Sequence, residues 1–326
     1  MEVSRREFIK YMIALGFSAA TAGALFSQLS CSPVDSPAPT PAPIPIHTPP
    51  PPPAPSTGSS HLVVARGESP TKMVHAAIKA LGGIEHFVKP GNDVIIKPNI
   101  CTANRTYEYA ATTNPEVVGA LTALCLGAGA KRVRVMDQPF SGTPQQAHAR
   151  SGIEEAVHAA GGQMEVISSI KFQDTSIPEG QSITSWPVYS DVLSTDVLIN
   201  VPIAKHHSLG RLTLGMKNLM GIILNPNKFH SKLGQRLADL TSLIRPPLTI
   251  VDGVRILMNH GPTGGDLNDV KMANTIIASQ DIVAADSYAA TLFGLTGNDI
   301  PAIRAGAQMG LGTMDLNSVK IEEISI

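Results

Sequence analysis

The chain has 326 residues, a formal net charge of -1, 43% hydrophobic residues and only 4% aromatic ones. Near-neutrality leaves no global positive field for nucleic acid, and the scarcity of aromatic faces argues against base-stacking readers and carbohydrate platforms. Three cysteines, Cys31, Cys101 and Cys125, suit neither a disulfide scaffold nor a zinc-ribbon or iron–sulfur spacing.

Residues Ser4 to Lys10 hold Arg5, Arg6, Phe8 and Lys10 in a twin-arginine pattern, and a small-residue-rich apolar run follows from Tyr11 to Phe26. The expectation is export of an already folded protein by the twin-arginine translocase, to the periplasm or the outer face of the cytoplasmic membrane. The run is too short and too rich in small residues to favour a permanent transmembrane helix. Cargo of this route often carries a cofactor inserted before transport, although cofactor-free cargo also exists. Cys31 stands where a lipoprotein signal places its acylated cysteine, so a lipid anchor in the membrane is expected; plain cleavage nearby is the alternative. Residues 32–60 contain nearly half of the 26 prolines, including Pro49 through Pro53, and read as a polyproline tether. The division is therefore a signal over 1–31, a Pro-rich linker over 32–60 and an α/β domain over 61–326.

In the domain, His61–Ala65 reads as a strand and Pro70–Leu81 as a helix capped by Ser69. The turn at Pro90, Gly91 and Asn92 leads into strand Val94–Ile96. Asn114 and Pro115 open a helix to about Gly127. Strand Arg132–Met136, helix Gln145–Ala160 and strand Met164–Ile167 complete the first set. Buried strands Val197–Val201, Leu248–Val251 and Thr275–Ala278 follow, with a helix over Asp281–Phe293 and a closing strand over Val319–Ile324. This alternation predicts an α/β fold, a mostly parallel sheet or sheets with helices on both faces.

Several apolar strands run into polar residues at their C-terminal ends, the rim where open α/β sheets bind ligands. Lys97, Asn99, Asp137, Lys205, His206, His207 and Asp252 are placed to converge there. Taken singly, each also reads as a solvated loop residue or a turn cap. The segment from Lys205 to Gly221 is densest, with Arg211 and Lys217 as further cations and glycines that let a backbone approach a ligand. A helix starting near Gly215 would add amide donors for an anion. Joint metal binding by His206 and His207 is opposed by their adjacency, which points them apart on regular backbone. The glycine cluster His260–Asp266 suits a mobile loop closing over a ligand. Cys101 lies on the rim with nothing near it in sequence that clearly activates it. Phosphate-loop, dinucleotide and hydrolase-elbow signatures do not occur.

Ile96–Asn99, Thr113–Val118, Asn200–His207, Gly215–Gly221 and Ile250–Gly253 together resemble the domain of unknown function 362 (DUF362) family, from about Ile95 to the end. Members of that family often carry a ferredoxin-like iron–sulfur segment, whose cysteines this chain lacks. A shorter stretch, His207 and Lys217 around glycine-rich sequence, looks like the lactate racemase family, which holds a nickel-bearing nucleotide cofactor. That likeness implies a metal or substrate proton near His207 and a cofactor near Lys217.

The expectation is a small anionic molecule bound by Lys97, Asn99, Asp137, Lys205, Arg211, Asn218 and Asp252, with His206, His207 and Lys217 in catalytic roles. A non-catalytic ligand- or metal-binding surface lipoprotein is the alternative, and an iron–sulfur-associated redox accessory protein the third reading. The cofactor stays open between a metal and a nucleotide-derived group, the metal ligands are unknown, and the cysteine pattern predicts no iron–sulfur cluster.

Overall fold

The computed structural model describes residues 60–326. The twin-arginine segment, Cys31 and the tether up to residue 59 lie outside the described residues. In chain order the first half gives β1 (His61–Arg66), α1 (Pro70–Ala80), β2 (Asp93–Pro98), α2 (Pro115–Gly127), β3 (Arg132–Val135), α3 (Pro144–Ser151), α4 (Ile153–Ala159) and β4 (Gln163–Met164). Next come β5 (Phe172–Ser176), β6 (Ser185–Tyr189), α5 (Ser190–Ser194), β7 (Val197–Val201), β8 (Ile203–His207), β9 (Arg211–Thr213), α6 (Gly215–Asn218) and α7 (Pro226–Phe229). The chain closes with α8 (Leu233–Ile244), β10 (Leu248–Leu257), β11 (Val270–Ser279), α9 (Ile282–Thr291), α10 (Pro301–Gln308) and β12 (Lys320–Ser325).

Ten strands form one sheet in the order β12-β1-β11-β10-β7-β2-β3-β4, with β8 on β10 and β9 on β8. Most pairings are parallel, as the strand–helix alternation predicts, but β11 runs antiparallel to both β1 and β10, and β9 to β8. The reversal is local: β10 and β11 are consecutive strands with no crossover helix between them, so their connection folds back. The central strands β1, β2, β7 and β10 are buried on both faces, whereas the edge strand β12 is largely exposed or half-buried. Leu62, Val64, Ile95 and Ile277 face one core with α8, α9 and α10; Val63, Val94, Ile96 and Ile276 face the other with α1 to α4. Among the described residues no helix is long and apolar enough to cross a membrane.

Helix starts follow the sequence signals. The Ser69 hydroxyl accepts from the Lys72 amide at 3.4 Å and the Asn114 side chain from the Glu116 amide at 2.9 Å, each with proline in the first turn. The helix expected over 145–160 is instead two, because Gly152 takes a left-handed φ of 76° that ends α3 and begins α4. The strand expected over 164–167 shrinks to the β4 pairing with β3. The hairpin β5–β6, whose strands are largely exposed or half-buried, carried no apolar alternation to announce it.

Two features place the site. The chain passes from β2 outward to β3 and β4, then returns to β7 on the other side of β2, so the order reverses between β2 and β7. At Pro202 the strand also bends: β7 pairs with β2 as far as Val201, whereas β8 follows the second half of β10 from Asp252. The sheet thus forks at the C-terminal ends of β2 and β7, and a reversal point is where open α/β sheets leave a crevice.

Candidate functional site

The fork is filled by a closed polar cluster. Lys97, at the end of β2, donates from Nζ to Asp137 Oδ1 at 2.7 Å, the Pro98 carbonyl at 2.9 Å and Asn218 Oδ1 at 3.2 Å. Asp137 Oδ2 accepts from the Ile100 amide at 2.6 Å. Asn218, on α6, donates to the Lys97 carbonyl at 3.0 Å and Asn200 Oδ1 at 2.9 Å, while its own Oδ1 also accepts from Asn99 at 3.1 Å. Lys205, on β8, donates to the Ala111 carbonyl at 2.6 Å, and to Asn99 Oδ1 and the Pro262 carbonyl at 2.9 Å each. Its Nζ is also 3.2 Å from Cys101 Sγ, a neighbour invisible in sequence.

Lys97 and Lys205 are 0% and 1% exposed. Burial pulls the Lys97 ammonium below its ordinary range, while Asp137 pulls it back up. Gly221 closes over this pair: a Cβ there would stand 1.9 Å from Asp137 Oδ1 and 2.7 Å from Lys97 Nζ, so any side chain would have to displace the ion pair. Five sequence-predicted residues, Lys97, Asn99, Asp137, Lys205 and Asn218, therefore meet, and they satisfy one another. Such a network fixes α6 and the strand ends in one geometry.

Two of the residues expected to bind the anion do not join them. Asp252 is buried and accepts from the Asn114 amide at 2.7 Å and the Val254 amide at 2.9 Å, tying the start of α2 to β10. Burial pushes its carboxyl up to about 6 against those two donors. Arg211 is exposed, with a left-handed φ of 62°, and its guanidinium donates to the Asp299 carbonyl at 3.0 Å. The helix start expected to receive an anion at Gly215 already holds one from the protein. Asp286 of α9 accepts from the Gly215 amide at 2.6 Å and the Met216 amide at 3.0 Å. Burial pushes Asp286 up to about 7. A lone acid in the otherwise apolar face of 282–290 was the available signal for it, and sequence reasoning missed it.

Lys217, next to Asn218 on α6, faces a different environment. It lines a cavity of about 540 Å³ together with His230, Lys232 and Arg304, with Leu212 and Leu233 among the apolar walls and Asp286 as the acid. Among the described residues its hydrogen-bond partner is only Met220 Sδ, at 3.5 Å, a weak acceptor. Burial, then the charges of Lys205 and Lys97 against the raising influence of Cys101, brings Lys217 down to about 8.

The histidines are fixed by backbone groups. His207 Nδ1 accepts from Leu209 at 3.1 Å and Gly210 at 3.2 Å, so the proton of the neutral ring sits on Nε2. Burial, then Lys217 and Lys205, holds His207 down to about 3. His207 therefore acts as a neutral N–H donor rather than a base. A metal at His207 does not fit: Nε2 would need its lone pair, and the proton would then oppose two amides at Nδ1. Among the described residues no three His, Cys, Asp or Glu side chains are grouped to hold a metal ion. His230, which follows no strand end and so carried no rim signal in sequence, stacks on His207 with ring centroids 6.3 Å apart. Its Nδ1 lies 3.3 Å from the Asn227 carbonyl, which assigns the proton to Nδ1 and leaves Nε2 as an acceptor. Adjacent His206 takes its own tie, accepting at Nδ1 from the Gly261 amide at 3.1 Å. The glycine loop over 260–266 is thus pinned at the fork by His206 and by the Lys205–Pro262 contact.

The family described as Domain of unknown function (DUF362) matches residues 94–291. The chain belongs to the DUF362 family. The matched span holds the whole polar cluster, Lys217, His230 and Asp286; Arg304 of the cavity wall lies beyond it. A thylakoid-associated protein of Synechocystis sp. is 28% identical to this DUF362 chain over 249 residues, covering 72% of the chain and 73% of the relative. Among solved structures, the lactate racemase apoprotein from Thermoanaerobacterium thermosaccharolyticum matches with a TM-score of 0.45 and 12% identity, over 68% of this chain and 54% of that one. A protein from Thermotoga maritima matches with a TM-score of 0.43 and 12% identity, over 70% and 60% of the two chains. The DUF362 chain thus spans little more than half of these two structures.

Proposed function

We propose that the DUF362 domain binds a small organic anion in the Lys217 cavity, with Lys217 as the ammonium that meets it and exchanges a proton with it. The observation that carries this reading is the contrast between half-buried Lys217 and the two fully buried lysines beside it. Lys97 and Lys205 have oxygen acceptors all round, whereas Lys217 has a thioether alone among the described residues. A half-buried ammonium without an oxygen acceptor is poorly compensated, and a bound carboxylate or phosphate supplies what is missing. Lys232 and Arg304 add positive charge around the same space, and the leucines provide room for an apolar body. Lysine held near 8 changes protonation close to neutral pH, which suits proton exchange with a substrate. His230 lines the cavity as an acceptor, with the ring of neutral His207 stacked on it.

The test is calorimetric titration of the purified chain with a panel of small carboxylates and phosphates. A Lys217→Met variant should lose roughly 10- to 100-fold in affinity, the value of one charge-assisted hydrogen bond. Undiminished binding in that variant would remove the reading.

The site is further proposed to work outside the cytoplasmic membrane. The twin-arginine pattern around Arg5 and Arg6 and the lipid-anchor position of Cys31 support that placement. The description of the Synechocystis relative as thylakoid-associated agrees with a life beside a membrane. Cell fractionation tests it: Arg5→Lys with Arg6→Lys should leave the protein in the cytoplasm, and Cys31→Ala should release it from the membrane fraction. An unchanged distribution in both variants would overturn the placement.

A further inference from the structure

The cavity also points to a class of substrate, and the inference rests on the anion-binding reading. We propose that Lys217 forms an imine with the aldehyde or ketone group of a small anion held in the cavity, so that the ligand class is oxo acids.

The geometry separates Lys217 from an ordinary anion-binding lysine. Its stem runs against Gly210, where a Cβ would stand 3.2 Å from Cδ and 3.3 Å from Cε, so the side chain is backed by the main chain. Its helical turn is anchored from one side by Asp286 and from the other by Asn218 in the closed cluster. The amine is thereby held in place while the thioether of Met220 leaves its nitrogen nearly unengaged. An amine at about 8 is neutral in roughly a tenth of molecules at pH 7, against a few in ten thousand for an exposed lysine. Two further cations, Lys232 and Arg304, line the cavity and are available to the acid group of the same molecule.

The step balances without an added reagent. The neutral amine attacks the carbonyl carbon, forming a C–N bond and a carbinolamine after one proton moves from nitrogen to oxygen. Loss of the hydroxyl as water, with the remaining N–H proton, gives the C=N bond. Nothing is oxidised or reduced. His230, with Nε2 as acceptor beside the cavity, is the group that relays the proton.

The experiment is reductive trapping. The full chain is incubated at pH 7 with glyoxylate or pyruvate and sodium cyanoborohydride, and the adduct is located by peptide mass spectrometry. One adduct is expected, on Lys217, with at least about tenfold preference over the exposed Lys72 and Lys320, and Lys217→Arg should lose it. Wild-type labelling is mapped residue by residue, so the test does not depend on the variant folding. Labelling no greater at Lys217 than at Lys72 overturns the imine. If that happens while acetate and lactate still bind calorimetrically in a Lys217-dependent way, the anion reading stands alone. An adduct at Lys217 with neutral acetaldehyde as fast as with glyoxylate would remove the acid group from the proposal.

Discussion

Gly210 and Lys217 are packed main chain to side chain, with a missing Cβ at Gly210 falling 3.2 Å from Lys217 Cδ. Backbone conformation does not demand glycine at 210, since its φ is not left-handed. Gly210→Ala should therefore fold normally and displace the Lys217 stem by a few tenths of an ångström. Calorimetry should show anion affinity falling several-fold with the melting temperature changed little.

Lys217 should cost the fold stability. Its pKa is depressed in the folded state, so its favourable contribution exists only above the unfolded value near 10.5 and is lost as pH falls toward 8. Below that, a charged amine sits in a poorly compensated site. Lys217→Met should raise stability at pH 7 by about 1–3 kcal/mol, a gain that shrinks between pH 8 and 10.5. Urea melts of both proteins across that range check it.

Lys97 and Asp137 should behave in the opposite way. Removing either partner leaves the other charge buried, so Lys97→Met or Asp137→Leu should each destabilise by about 3–5 kcal/mol, and the double variant should recover much of the loss. A double-mutant cycle by urea unfolding measures the coupling.

His207 gives a pH signature. Its folded pKa is held at about 3 against an ordinary 6.5, so the unfolded chain takes up the extra proton between those values. Stability tied to His207 is complete above pH 6.5 and is lost as pH falls toward 3. Nitrogen NMR should find the ring neutral at pH 5 with its proton on Nε2; a charged imidazolium at that pH would contradict the amide contacts at Nδ1.

The parts legible in sequence were those carried by strand periodicity. Lys97, Asn99, Asp137 and Lys205 follow or end apolar strands, and the rule that such ends share a rim is enough to bring them together. Asn218 came with them because its segment is dense in polar residues. Asp252 satisfied the same rule and failed it in space, because an aspartate at a strand centre serves the nearest orphan amides; Arg211, expected from the density of its segment, projects outward from a left-handed turn. The partner of Asp286 was illegible for a different reason. Asp286 is separated by 71 positions from the Gly215 amide it accepts from, and no local pattern reports a contact across that distance. The fork at Pro202 was likewise hidden: Val197–Val201 reads as a strand with a polar end through His207, and only the pairing of β8 with the far half of β10 shows a second strand after a bend.

The most direct test of the central claim is the pH dependence of anion binding by the wild-type chain and by Lys217→Met. Affinity for a small carboxylate should fall as pH rises through 8 in the wild type, as the ammonium is lost, and should be weak and flat in the variant. Equal affinity in the two proteins, or wild-type binding unchanged from pH 7 to 9.5, would contradict it.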